Sequence, residues 1–256
     1  MKAIILAGGF GTRLSEETIS RPKPLVEIGG RPILWHIMNI YSAYGIHEFI
    51  IAVGYRGDLV KEYFINFKAI NNDITIDLAK DETIVHNGKL PPWKIHLVDT
   101  GLHTQTGGRL KRLQEWLGRD ETFMFTYGDG VGDIDIHKLL EFHKCHGKLA
   151  TVTTVRSPSR FGRIVFRDDQ ISEFYEKPET AAGWISGGFF VLSAKALDFI
   201  DGDGAVWEKA PVENLVSEGQ MMGYRHYGFW SCMDTLKEKT YLEELWNSGK
   251  APWKIW

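Results

Sequence analysis

Only two cysteines occur in the 256 residues, Cys145 and Cys232, far apart and in no metal-like spacing. That argues against a disulfide scaffold or a cysteine-bound metal, and a reduced, cytoplasmic protein is expected. No apolar run approaches the roughly 18 residues of a membrane span, so no membrane partner is expected. The apolar stretch after Met1-Lys2 has the length of a strand rather than of a signal peptide. Neither sign of charge dominates: the net charge is −3, which gives no reason to expect nucleic acid as a partner. Internal repeats, low-complexity tracts and dividing linkers are also missing. What remains is a chain with 43% hydrophobic and 25% charged residues, suited to one large α/β domain with a substantial core.

Tryptophan, by contrast, is abundant, with nine in all, and Trp207, Trp230, Trp246, Trp253 and Trp256 fall late in the chain. Each is read either as core packing or as an interface residue.

The chain is organised around its beginning. Lys2 to Ala7 is a continuous apolar run of strand length that breaks into Gly8-Gly9-Phe10-Gly11-Thr12-Arg13-Leu14. A buried parallel strand entering a glycine loop lets backbone N–H groups approach an anion. Arg13 supplies a charged fork, and Lys23 a point charge stiffened by Pro22 and Pro24. A Walker-type loop needs Gly-Lys-Ser/Thr where Gly11-Thr12-Arg13 stands, and a dinucleotide fingerprint needs glycine where Leu14 stands. A tight turn without ligand is the plain alternative.

Downstream, Pro32 opens a helical pattern that Gly45 ends, and residues 49–54 form a second buried strand. Residues 59–67 recur at helical spacing, so the βαβα rhythm predicts a parallel, doubly wound sheet with its ligand at the strands' carboxyl ends. Ile74, Ile76 and Leu78 alternate as a strand, residues 81–92 read as an excursion or hairpin, and residues 94–99 read as a strand. Thr106-Gly107-Gly108-Arg109 opens a helix able to hold an anion or a base edge, or simply makes a turn. Residues 122–127 form a central strand ending at Gly128-Asp129-Gly130, where position favours metal binding and a turn-forming Asp-Gly is the alternative. The helix over residues 135–146 carries His137, His143 and His146, to which no chemistry is assigned. Residues 149–155, 164–166, 171–175 and 185–192 read as strands, and residues 194–200 and 211–217 as helical. Glu176-Lys177 at a strand tip is either a surface pair or a phosphate contact, and Gly187-Gly188 allows close approach by a sugar ring. Asp234 starts the last long helix, where N-capping competes with any chemical role.

These pieces resemble the sugar nucleotidylyltransferases, or nucleotide-sugar pyrophosphorylases. The shared elements are Leu6 to Leu14, Lys23 before Pro24, Gly128-Asp129-Gly130, Glu176-Lys177-Pro178, Gly187-Gly188 and Asp234, spread over almost the whole chain. The resemblance implies a single α/β, Rossmann-like domain over residues 1–256 with a mixed, mostly parallel central sheet. Residues 1–130 would bind the nucleotide, and residues 131–256 the sugar phosphate and oligomer partners. Within the family, Thr106 to Arg109, Arg160-Phe161-Gly162, Gly228-Phe229-Trp230 and Ala251 to Lys254 resemble the enzymes that use CTP and glucose 1-phosphate.

On that resemblance, CMP would pass from CTP to α-D-glucose 1-phosphate, giving CDP-glucose and pyrophosphate by Mg²⁺-dependent in-line attack on the α-phosphorus. Leu6, Ala7, Gly8, Gly9, Gly11, Thr12, Thr106, Arg109 and Gly128 would hold the nucleotide, with Arg13 and Lys23 catalytic on its triphosphate. Tyr127, Glu176, Lys177, Ser186, Gly187 and Gly188 would hold the sugar phosphate, and Asp129 and Asp234 would ligate Mg²⁺. A homohexamer is implied as well. Three departures fall on the acceptor side: Ser186 where asparagine is expected, Arg163 where a small residue is expected, and Lys209-Ala210 where acidic character is expected. The open alternatives are another phosphorylated acceptor, UTP or dTTP in place of CTP, and a non-catalytic nucleotide-sugar sensor.

Overall fold

The structure is a computed structural model describing residues 1–86, 88–119, 121–156, 163–167, 170–175 and 183–256. Its first strand, β1 (Lys2–Ala7), shows why an unbroken apolar run was needed. Ala3, Ile5 and Ala7 face one hydrophobic core while Ile4 and Leu6 face another. A strand buried on both faces must be apolar at every position, whereas a half-exposed one alternates. The strands β2 (Glu48–Val53), β3 (Lys94–Asp99), β4 (Thr122–Tyr127), β5 (Ala150–Arg156), β6 (Trp184–Ser193) and β7 (Met221–Arg225) complete the main sheet.

Among the described residues this sheet has seven strands in the order β7-β5-β6-β4-β1-β2-β3. Pairing is parallel throughout except where β6 meets β5 and β4, so the sheet is mixed and mostly parallel as expected. The chain runs from β1 outward to β2 and β3, then returns to β4 on the other side of β1. Loops leaving the carboxyl ends of β1 and β4 therefore diverge, and a crevice opens between them.

Helices cover both faces. On one side lie α1 (Ile33–Ala43), α2 (Gly57–Ile65), α4 (Ile136–His146) and α6 (Leu236–Asn247), contributing Ile37, Val60, Leu139 and Leu242 to the first core. On the other lie α3 (Thr106–Arg112) and α5 (Ala210–Ser217), with Leu110 and Leu215 in the second. The expected alternating strand near residues 74–78 is half of a two-stranded hairpin, Asp73–Asp77 with Glu82–His86. Its apolar positions are not buried: Ile76 is 56% and Leu78 89% exposed.

Two of the nine tryptophans are core residues, and the rest are half-buried or exposed. Trp207 and Trp253 are fully buried in opposite layers. Trp253 also sets the state of a buried histidine on α1. His36 gives its Nε2 hydrogen to the Ile28 carbonyl at 2.9 Å, and its Nδ1 accepts from the Trp253 indole at 3.3 Å. Burial pulls the His36 pKa down to about 4, and burial together with the charge of His146 does the same for His143.

These two groups predict acid lability. An unfolded imidazole takes up its proton near pH 6.5, and the folded ones only near 4, so stability is full above 6.5 and falls as pH drops through that window. Each contributes up to about 3 kcal/mol to the loss. Urea midpoints at pH 7.5 and 5.0 measure it, and His36→Gln should shrink the difference. An undiminished difference in that variant would remove His36 from the account.

Candidate active site

The crevice between β1 and β4 is a cavity of about 680 Å³, within the range of small-molecule sites. Every candidate site residue named from the sequence lines it, except Glu176 and Lys177, which lie outside the described residues.

The glycine loop after β1 is held by its own chain. Leu14 is fully buried, and the Thr18 hydroxyl closes onto the Gly11 and Leu14 carbonyls at 3.0 and 2.9 Å. Gly11 sits at φ +67°, where a side chain is strained. Gly8 is glycine for a reason the sequence hid: a Cβ there would stand 2.3 Å from the Arg109 guanidinium. Arg109, only 5% exposed, donates to the Gly8, Val53 and Leu102 carbonyls and the Thr100 hydroxyl. It ties the loops after β1, β2 and β3 into one wall. Gly9, by contrast, has open space where a Cβ would sit, so nothing in the described chain requires its lack of one.

Gly107 and Gly108 have a packing reason to be glycine. Their missing Cβ atoms make room for the backbone of Ala205 and Asp203, at 2.8 and 2.5 Å. The Thr106 hydroxyl donates to Glu208 at 2.7 Å and accepts the Trp207 N–H. Glu208 was not legible as a site residue. Its carboxylate also accepts from the Tyr127 hydroxyl, so it stands on the cavity wall as the partner of two candidate residues. Burial first, then the Glu208 charge, pushes the Tyr127 phenol well above its ordinary range and keeps it a hydrogen donor.

The charged centre is assembled by a short ribbon. Gly130–Gly132 pairs antiparallel with Trp230–Cys232, matching Gly130 to Cys232, and Met233 N–H reaches the Asp129 carbonyl at 2.8 Å. Asp129 and Asp234 are thus brought side by side. Lys23 comes from a turn fixed between prolines. Its ammonium lies 2.5 Å from Asp129 Oδ2 and 2.5 Å from Asp234 Oδ1. Arg13 takes the other Asp234 oxygen at 2.5 Å. Burial lowers the Lys23 pKa, but the two carboxylates, Asp129 foremost, outweigh it and hold the ammonium above its usual value. Nearby Cys232, pushed up to about 12 by burial and the carboxylates around it, stays a thiol.

The capping role expected for Asp234 is taken by its neighbour. Thr235 caps α6 in a capping box with Glu238, whose Oε2 also accepts the Asp234 N–H at 2.8 Å. The Asp234 side chain is therefore left to the two cations. On the acceptor side, the Ser186 hydroxyl accepts the Gly188 N–H at 3.3 Å and the Trp230 indole donates to the Gly187 carbonyl at 2.7 Å. Of the two departures whose side chains are described, Ser186 lines the cavity and Lys209 does not; the Arg163 side chain lies outside the described atoms.

Among the described residues no cluster of three or more His, Cys, Asp and Glu side chains is placed to hold a metal. Asp129 and Asp234 nevertheless converge on one positive centre. Two carboxylates completed by phosphate oxygens are a donor set that suits Mg²⁺. The histidines of α4 are committed elsewhere, His143 and His146 both bonding the Thr151 hydroxyl.

A glycine loop, a lysine–arginine pair and two convergent carboxylates at the carboxyl edge of a mixed sheet define a nucleotide-handling transferase. Residues 2–232 match the family described as nucleotidyl transferase, and the chain belongs to it. It is 54% identical, over the full length of both chains, to glucose-1-phosphate cytidylyltransferase of Salmonella typhimurium. The Salmonella typhi protein of the same name is 53% identical over the same extent. In fold it is similar to HddC from Yersinia pseudotuberculosis complexed with GMP-PN, with a TM-score of 0.70 at 20% identity over 96% of this chain and 99% of that one.

Proposed function

We propose that this chain transfers CMP from CTP to α-D-glucose 1-phosphate, forming CDP-glucose and pyrophosphate. The full-length likeness to the two Salmonella cytidylyltransferases supports that pair of substrates. The observation that carries the chemistry is the meeting of Arg13, Lys23, Asp129 and Asp234 at the glycine loop.

A sugar-phosphate oxygen forms the new bond to the α-phosphorus of CTP, and the bond from that phosphorus to the β-phosphate breaks. A phosphate monoester, with a second pKa of about 6, is already mostly dianionic at neutral pH, so no general base is required. The chain's task is to hold two anions together and to neutralise charge on the departing pyrophosphate. Arg13 and Lys23 suit that task, both being cations on the cavity wall. Mg²⁺ held by Asp129 and Asp234 would supply further neutralisation of the triphosphate.

Residues 1–130 form the nucleotide side, with Leu6 to Thr12, Gly128 and the Thr106 and Arg109 supports around the base and ribose. Residues 131–256 form the acceptor side, where Ser186, Gly187 and Gly188 line the cavity with Tyr127, and Glu176 and Lys177 bind the sugar phosphate. The proposal extends to a cytoplasmic homohexamer; no helix among the described residues is long and apolar enough to cross a membrane.

Pyrophosphate release with Mg²⁺, CTP and α-D-glucose 1-phosphate, beside UTP, dTTP and other sugar phosphates, tests the reading. Release confined to the CTP and glucose 1-phosphate pair is the expected result. Release with CTP and only another acceptor would move Ser186 to the centre of specificity, and silence across the panel would favour a sensor.

A further inference from the structure

We propose that Lys23 is a built-in cation that closes the Asp129–Asp234 metal position in the nucleotide-free protein, so that a divalent ion enters only as a triphosphate draws Lys23 away. The inference rests on the reading of Asp129 and Asp234 as metal carboxylates. It goes beyond that reading in assigning the lysine a second role, competitor of the metal before it serves the nucleotide.

The geometry is specific. One nitrogen lies 2.5 Å from an oxygen of each aspartate. Arg13 takes the second Asp234 oxygen, so three of the four carboxylate oxygens carry a cationic partner. Two negative groups face two positive ones, and no net charge remains to attract a divalent ion. An ion bound at about 2.1 Å to those oxygens would also lie within a few ångströms of the ammonium, in a partly water-excluded setting where like charges repel strongly. The Lys23 side chain is only 12% exposed, which limits screening by water.

The same geometry says how the position opens. The backbone around Lys23 is fixed: Pro22 and Pro24 bracket it, and Leu25 and Val26 N–H groups bond the Pro22 and Lys23 carbonyls at 2.9 and 3.0 Å. The four-carbon stem is free to swing about that fixed point. A triphosphate on the glycine loop offers Lys23 and Arg13 anionic oxygens in place of the aspartates. As the two cations turn to it, the carboxylate oxygens are released for the metal. Metal and nucleotide then favour each other's binding by a reciprocal coupling.

Mn²⁺ binding to the nucleotide-free full chain, measured by electron paramagnetic resonance of the free ion, tests this without turnover. Lys23→Met should bind Mn²⁺ at least about tenfold more tightly than the wild type, the ratio that 1.4 kcal/mol of lost competition gives. Lys23→Gln, which keeps an N–H donor but no charge, should do the same and guards against misfolding of the first variant. Adding Asp129→Asn to either should abolish the gain. Equal or weaker Mn²⁺ affinity in both Lys23 variants, or a gain that survives Asp129→Asn, would overturn the proposal. Pyrophosphate release by the wild type is read separately, so loss of this inference would leave the assigned reaction standing.

Discussion

Lys23→Ala is expected to lower kcat for pyrophosphate release by about 10³-fold, with far-UV circular dichroism unchanged from the wild type. The size follows from what the ammonium does. It is the most buried of the cations at the charged centre, held on a proline-braced turn, and it needs no reorganisation beyond its side chain to meet the triphosphate. Removing one preorganised donor of this kind costs roughly 3 to 4 kcal/mol of transition-state stabilisation. The fold survives because Lys23 supports no core element; its backbone turn is made by Pro22, Leu25 and Val26. Asp129 and Asp234 lose their shared partner, so a modest fall in thermal midpoint accompanies the kinetic loss. Steady-state kinetics with CTP and glucose 1-phosphate decide the matter. A variant with near-normal kcat would take Lys23 out of the mechanism.

Arg109→Met is expected to act mainly on stability and on CTP affinity. The guanidinium is buried, has no carboxylate within ion-pairing distance among the described residues, and is satisfied by three carbonyls and one hydroxyl. Burial lowers its pKa, but an arginine stays charged throughout the accessible range. Methionine fills the volume and leaves the Leu102 carbonyl and the Thr100 hydroxyl without that partner. The Gly8 and Val53 carbonyls keep the Tyr55 and Thr100 N–H groups. Two to three weakened buried acceptors amount to about 3 kcal/mol, or a thermal midpoint lower by about 10 °C for a chain of this size. The loops after β1, β2 and β3 lose their common tie, so KM for CTP should rise at least about tenfold with a smaller change in kcat. A melting curve superimposable on the wild type would show that the wall is held by other contacts.

Both predictions concern residues that the sequence marked, but for reasons the structure rearranges. The run from Lys2 to Ala7 and the glycines after it were readable because strand burial and chain reversal leave local signatures. The purpose of Gly8 was not readable, since its constraint comes from Arg109, a residue far along the chain. Gly107 and Gly108 read as a helix start able to hold an anion or a base edge, or as a turn, and the sequence did not show that they also seat the backbone of 203–205. Asp234 looked like a helix cap one residue early; the cap is Thr235, and only the capping box with Glu238 reveals it. Glu208 carried no local signal at all, because its meaning lies in its partners Tyr127 and Thr106.

What the sequence by itself determined was most of the longer elements, though not β7 or the short ribbon strands, and the chemical character of the loops between them. Prolines fix the backbone and glycines free it where they stand, and an apolar run marks burial along its own length, so each effect can be read without knowing what lies across the molecule. Which charges meet was decided only by tertiary structure. Lys23, Asp129 and Asp234 converge because β4 returns beside β1 and because the ribbon of 130–132 with 230–232 pairs in one register. Each of those strands is too short to announce itself in a sequence, and register is a property of two segments at once. An electrostatic centre depends on separations of a few ångströms between distant parts of the chain, and the packing of the whole sheet sets those separations.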